Sequence, residues 1–100
     1  MPSLSITTPH GLTPEEATAR LKSFFEKLKE RHQDKVSNLE EQWQDNRLNY
    51  AFSTYGFHIK GDLTVEPNEV KVSGSLPFAA MMFKGKIEQA VREELEKLLA

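Results

Sequence analysis

Polar and apolar residues alternate from Ser3 to Thr7, which predicts a short half-buried strand with Leu4 and Ile6 turned inward. Pro9, His10 and Gly11 break it. The spacing then changes: Ala17, Leu21, Phe24, Phe25 and Leu28 fall on one stripe at helical period, predicting a helix over residues 14–32. Its start is well marked. Thr13 suits the N-cap, Pro14 the first helical position, and Glu16 stands three residues on, as a capping box requires. Glu15 and Glu16 face the positive end of the helix dipole, and Lys29, Arg31 and His32 the negative end.

After a polar connection at Gln33, Asp34 and Lys35 the period falls to two. Asp45-Asn46 reads as a hairpin turn, because both residues tolerate the left-handed conformation. That turn sets Trp43 opposite Leu48, Glu41 opposite Tyr50 and Leu39 opposite Phe52, all on one face. Pro67-Asn68 makes a second turn, pairing Val65 with Val70, Leu63 with Val72, Gly61 with Gly74 and Ile59 with Leu76. Residues 53–56 reverse the chain between the hairpins. Four strands thus share an apolar face, while Gln42, Asn49, Lys60 and Ser73 lie on a wet one.

Pro77 stops the last strand. A closing helix is expected to bury Phe83, Ile87, Ala90, Val91, Leu95 and Leu98, with Glu88–Arg92 and Glu93–Lys97 spaced for ion pairs. The order β-α-β-β-β-β-α predicts an α+β fold in two layers, an antiparallel sheet with two helices packed on one face, over a single domain of residues 1–100. The architecture resembles a reduced helix-grip arrangement, which says nothing of function.

Composition narrows the chemistry. A net charge of −2 with both signs interspersed argues against nucleic acid. The absence of cysteine excludes disulfides and thiolate chemistry and fits a reducing cytoplasm. Residues 1–10 lack the charged and apolar regions of a signal peptide. No run nears the roughly 18–20 apolar residues of a spanning helix, so no transmembrane segment is expected. A homo-oligomer remains compatible with the sequence.

Few residues carry chemistry. Gly85-Lys86 ends a phosphate-loop motif only in part, since Ile87 follows and Ala80 replaces the first glycine, so a phosphate site is not expected. His10, His32 and His58 are scattered, without a second ligand at metal spacing, and His32 reads as a helix-end partner. Neither a metal nor a cofactor is called for, and no nucleophile constellation is present, so no enzyme is expected. Glu41 on the apolar face reads as an edge glutamate reaching solvent or the Tyr50 hydroxyl, and otherwise as a lone carboxylate raised by burial. The facing Gly61 and Gly74 leave a gap, read as a sheet bend, as room for a bulky helix side chain such as Phe24 or Phe25, or as an apolar cavity lined by Phe24, Phe25, Gly61, Leu63, Val72 and Gly74. Phe78, Met81 and Met82 exceed what the core stripe needs. They read as core closure or as a docking patch.

The stretches SLSITTPHGLTPEEA, YGFHIKGDLTV and LPFAAMMFKGKIEQAVREELEKLL resemble the polyhydroxyalkanoic acid system protein family over nearly the whole chain. Its members are small bacterial proteins whose genes lie near those for storage-polyester granules. The resemblance implies a setting and brings no catalytic residues. It leads to the expectation of a non-enzymatic accessory protein, cytoplasmic, whose partner is the polyhydroxyalkanoate granule surface or a granule-coating protein. The alternative is a small binding domain holding an acyl or other apolar ligand between helices and sheet.

Overall fold

The computed structural model describes residues 3–31, 37–54 and 56–100. Strand β1 (Ser3–Pro9) precedes helix α1 (Pro14–Arg31). Strands β2 (Ser37–Gln44), β3 (Arg47–Thr54), β4 (Phe57–Val65) and β5 (Glu69–Ser75) follow. A short 3-10 helix (Phe78–Phe83) then leads into α2 (Lys84–Leu99). The strands form one antiparallel sheet in the order β1-β5-β4-β3-β2. This is the expected α+β architecture, and β1, whose neighbour alternation alone does not fix, lies on β5. The polar connection at residues 33–35 and the helix-end role of His32 fall outside the described residues.

Turn chemistry sets the register. Asp45 takes a φ of 56° in a two-residue turn, so Gln44 pairs with Arg47, Trp43 with Leu48 and Glu41 with Tyr50. Around Pro67-Asn68, Val65 pairs with Val70 and Gly61 with Gly74. The two turns are also tied together, since Asn46 Nδ2 donates to the Val65 carbonyl at 2.7 Å and Val65 N donates to the Asn46 carbonyl at 2.8 Å. Two expected pairs differ. The register shifts between Ser37 and Glu40, where Asn38 adopts a φ of 54°, so Leu39 sits in a bulge and does not face Phe52 in regular pairing. The β4–β5 ladder ends at Lys60–Ser75, before Ile59 and Leu76, although both are buried.

β1 runs longer than its alternation suggested, to Pro9 opposite Glu69. Proline is tolerated there because β1 is an edge strand. Its third inward residue, Thr8, is buried, and its hydroxyl lacks a partner among the described residues. One outward amide of this edge, Ser5 N, donates to Glu88 of α2 at 3.3 Å. The helix thereby shields an edge that could otherwise recruit another strand.

At α1 the capping box forms, with Glu16 N donating to Thr13 Oγ1 at 3.1 Å and Thr13 N donating to Glu16 Oε1 at 3.4 Å. His10 braces the approach. Leu12 N donates to its Nδ1 at 3.1 Å, which leaves Nε2 to donate to the Glu66 carbonyl at 2.9 Å. Arg20 donates to the carbonyls of Leu98 and Ala100 at the end of α2, satisfying acceptors that a helix end leaves open. The core beneath comprises Leu4, Ile6, Ala17, Leu21, Leu48, Leu63, Val65, Val70, Leu76, Leu95 and Leu99 among its members. A fully buried side chain of this size contributes about 1.5–3 kcal/mol.

Candidate apolar binding site

Both helices lie over the inward face of the sheet without closing on it along their whole length. Between them runs an apolar cleft of about 290 Å³. Leu4, Ile59, Leu63 and Val72 provide its floor, Phe24, Phe25 and Leu28 come from α1, and Ile87, Val91 and Leu95 from α2. Among the described residues, Glu94 is the one charged residue at its margin. The cleft exists because the α1 stripe diverges from the sheet. Ala17 and Leu21 are buried, whereas Phe24, Phe25 and Leu28 are only half-buried. Phe24 and Phe25 meet edge to face, with ring centroids 5.7 Å apart.

Of the six residues expected around a cavity, Phe24, Phe25, Leu63 and Val72 line this cleft, and Gly61 and Gly74 do not. The gap over the two glycines is filled by Tyr50 rather than by a helix phenylalanine. Tyr50 pairs with Gly61, and Gly61 with Gly74, in one row across the sheet. The phenol reaches over both glycines, and its hydroxyl donates to the Ser73 carbonyl at 2.9 Å. A Cβ at Gly74 would stand 2.9 Å from the Tyr50 oxygen, and one at Gly61 would collide with Ser73 O, Gly74 Cα and the same hydroxyl. Burial lifts the Tyr50 phenol to about 12, with the charge of Asp62 adding to the effect. Neither turn sets a register between β3 and β4, so the pairing of Tyr50 with Gly61 that makes it the filler comes only from the structure.

Glu41 does face Tyr50 in register, but its carboxylate is held elsewhere. Lys29 Nζ lies 2.8 Å away and Trp43 Nε1 donates at 3.2 Å. The hydrogen bond from Lys29 to Glu41 holds that ammonium above its ordinary value. Lys22 stands 5.4 Å from the centre of the Trp43 ring, a cation–π contact. These polar links fasten the later part of α1 to the edge strand β2 and leave the carboxylate paired, which accounts for Glu41 structurally.

The chain after Pro77 differs from the expectation at two residues, Phe83 and Ala90. Phe83 is not in the core stripe. It ends the 3-10 helix and is 49% exposed, while Leu99 is buried at the far end of α2. Ala90, also expected inside, is exposed at the cleft margin. Phe78 is 81% exposed, Met82 83% and Met81 44%. Only Ala80 of this turn is buried. The result is a projecting apolar ridge continued by Lys84, Gly85 and Lys86. Nothing lies within 4 Å of a Cβ at Gly85, so that glycine does not serve a close approach to the sheet or α1.

On the wet face of the sheet a broad open trough holds Gln42, Asn49, Lys60, Asp62 and Ser73. Asp62 is shared by Arg47, at 3.4 Å, and by the Ser73 hydroxyl. Its groups pair with one another and converge on no common point. His58, on the same face, bonds Ser53 at 3.3 Å. No helix among the described residues is long and apolar enough to cross a membrane.

Comparison with curated proteins and with solved structures gives no match. The family model described as "Putative polyhydroxyalkanoic acid system protein" matches residues 4–99, from the first inward leucine of β1 to the last buried leucine of α2. That span takes in every strand, both helices, the cleft and the ridge, and the chain belongs to the polyhydroxyalkanoic acid system protein family.

Proposed function

We propose that the chain is a non-enzymatic, cytoplasmic accessory protein of polyhydroxyalkanoate storage, which docks on the polymer surface of the granule through Phe78, Met81, Met82 and Phe83. The observation that carries this reading is the exposure of the ridge, above four-fifths for both Phe78 and Met82. A soluble chain rarely leaves contiguous large apolar side chains in water without use. The ridge projects from the fold, as interfacial segments do when they insert into an apolar layer. Its methionines are unbranched and adapt to an irregular surface. The family places the chain in the polyhydroxyalkanoate setting and leaves the mode of action open.

Burying one such side chain contributes about 1.5–3 kcal/mol, so two decide between bound and free at micromolar concentration. The test is co-sedimentation with native granules and with protein-free polymer particles, for the wild type and for Met81→Asp with Met82→Asp. The wild type should pellet with both, and the double variant should stay folded and bind at least about a hundredfold more weakly. A folded variant that still pellets moves the contact elsewhere. An unfolded variant returns the ridge to the core. Binding to native granules alone replaces the polymer by a coat protein.

A further inference from the structure

We propose that the outward seam of α2 is the interface of a weak two-fold dimer, in which the α2 helices of two copies pack antiparallel with Lys86 of one facing Glu93 of the other. Phe83, Lys86, Ala90, Glu93 and Lys97 recur at alternating spacings of three and four residues, the period by which one helix meets another along a stripe. All five are exposed, and a shallow groove runs along the seam past Phe83, Lys86, Gln89, Ala90 and Glu93. Ile87 and Ala90 separate it from the cleft, to which no occupant is assigned. Phe83 alone is shared with the ridge.

Charge selects the partner. In α1 the charges follow the helix dipole, with Glu15 and Glu16 in the first turn and Lys29 and Arg31 in the last. α2 opens instead on Lys84 and Lys86 with no acid in its first turn, and Glu93, Glu94 and Glu96 gather toward its end against Lys97. That order opposes the dipole of its own helix and complements an antiparallel copy. Centred on Ala90, the antiparallel register sets Ala90 against Ala90, Lys86 against Glu93 and Phe83 against Lys97, each unlike contact occurring twice by symmetry. A parallel register would set Lys86 on Lys86. Within one chain these charges are not spent. Among the described residues Lys86 has no acid partner, and Glu93 accepts from Gln89 at 3.2 Å while Lys97 lies 3.9 Å from Glu94. The small Ala90 at the centre lets the two axes approach, and the Lys97 stem and ammonium lie over the Phe83 ring. With 16 residues, α2 is about 24 Å long. One such helix pair buries less than the roughly 1,200 Å² of a stable interface, so the dimer is transient.

Sedimentation equilibrium of the intact chain at low salt reads the dimer directly. The wild type should pass from monomer toward dimer as its concentration rises through the high micromolar range, and added salt should weaken the association. Lys86→Glu and Glu93→Lys each set like charges face to face twice, and each should weaken association at least about tenfold. An equimolar mixture of the two variants should associate again, because every glutamate of the mixed pair meets a lysine. The chain carrying both reversals should associate for the same reason. Both changes agree with the helix dipole, so the dilute variants should melt no lower than the wild type. A wild type that stays monomeric, a dimer that either single reversal leaves intact, or a mixture that does not re-form it would each overturn the assignment. Phe78, Met81 and Met82 lie outside the seam. The chain with Met81→Asp and Met82→Asp should therefore dimerise as the wild type does, and granule docking stands or falls on its own test.

Discussion

The two halves of α1 carry the same apolar stripe and meet different fates. The first half lies by the hairpin turns, where its residues Pro14, Thr18 and Lys22 border Asp45 and Asn46. There Ala17 and Leu21 are buried to 0% and 1% exposure, and Leu48, Val65 and Val70 are as fully enclosed. The capping box, the His10 brace and the Asn46–Val65 bonds all converge on that end. In the second half Phe24, Phe25 and Leu28 stand half-buried over the cleft, and Lys29–Glu41 ties the helix to β2. Hydrophobicity is equal or greater at the open end. Small and branched side chains interlock at the closed end, whereas at the open end large rings bridge a gap they do not fill.

Truncation should separate the ends most sharply. Leu21→Ala removes a fully enclosed side chain and should cost about 3–5 kcal/mol by denaturant unfolding. Phe24→Ala, despite the larger deletion, should cost about 1–2 kcal/mol because its ring is half in solvent already. Equal costs would mean that the second half of α1 is packed as tightly as the first.

Glycines should respond just as unequally. Gly61→Ala drives a Cβ into the Ser73 carbonyl, the Gly74 backbone and the Tyr50 hydroxyl, and backbone cannot yield as a side chain does. A loss of about 2–3 kcal/mol is expected. Gly85→Ala meets open space on the first turn of α2 and should raise stability by about 0.5–1 kcal/mol.

Tyr50, which joins the cleft to the glycine row, should reveal itself in alkali. Its folded pKa, about 12, lies above the ordinary value of 10.0. The neutral phenol is favoured by folding, so its contribution is complete below about pH 10 and is lost as pH rises through about 12. Ultraviolet titration should show one phenolate forming late, absent in Tyr50→Phe, and that variant should lose about 1 kcal/mol for the bond to Ser73. A phenolate forming at the ordinary pH would place Tyr50 in water and leave the glycines uncovered.

Much of this fold is legible in the sequence because the turns fix parity. Once Asp45-Asn46 and Pro67-Asn68 are placed, the inward residues of four strands follow, the facing glycines included and the pairing of Leu39 excepted. The partner of β1 is not legible, since alternation marks an inward face and leaves the neighbouring strand open. Leu39 was misplaced because a left-handed Asn38 inserts a residue that period-two reading does not detect. Phe83 was misassigned because it continues the α2 stripe in sequence, whereas the chain there is still in the 3-10 turn, which rotates it outward. Thr8 escaped notice as a core position because it is polar. For the site, Phe24, Phe25, Leu63 and Val72 could be named from their faces alone. Glu94 at the rim could not, because its position depends on how far the helices stand apart.

The most direct test of a ridge that works by leaving water is methionine oxidation by peroxide, with residue-level readout, on the free chain and on the chain adsorbed to polymer particles. Exposed methionine is readily oxidised to the sulfoxide. Met82 and, more slowly, Met81 should react in the free chain, following their exposures of 83% and 44%, and both should be protected on the particles. Adsorbed protein whose Met82 reacts as fast as in solution would contradict docking through the ridge.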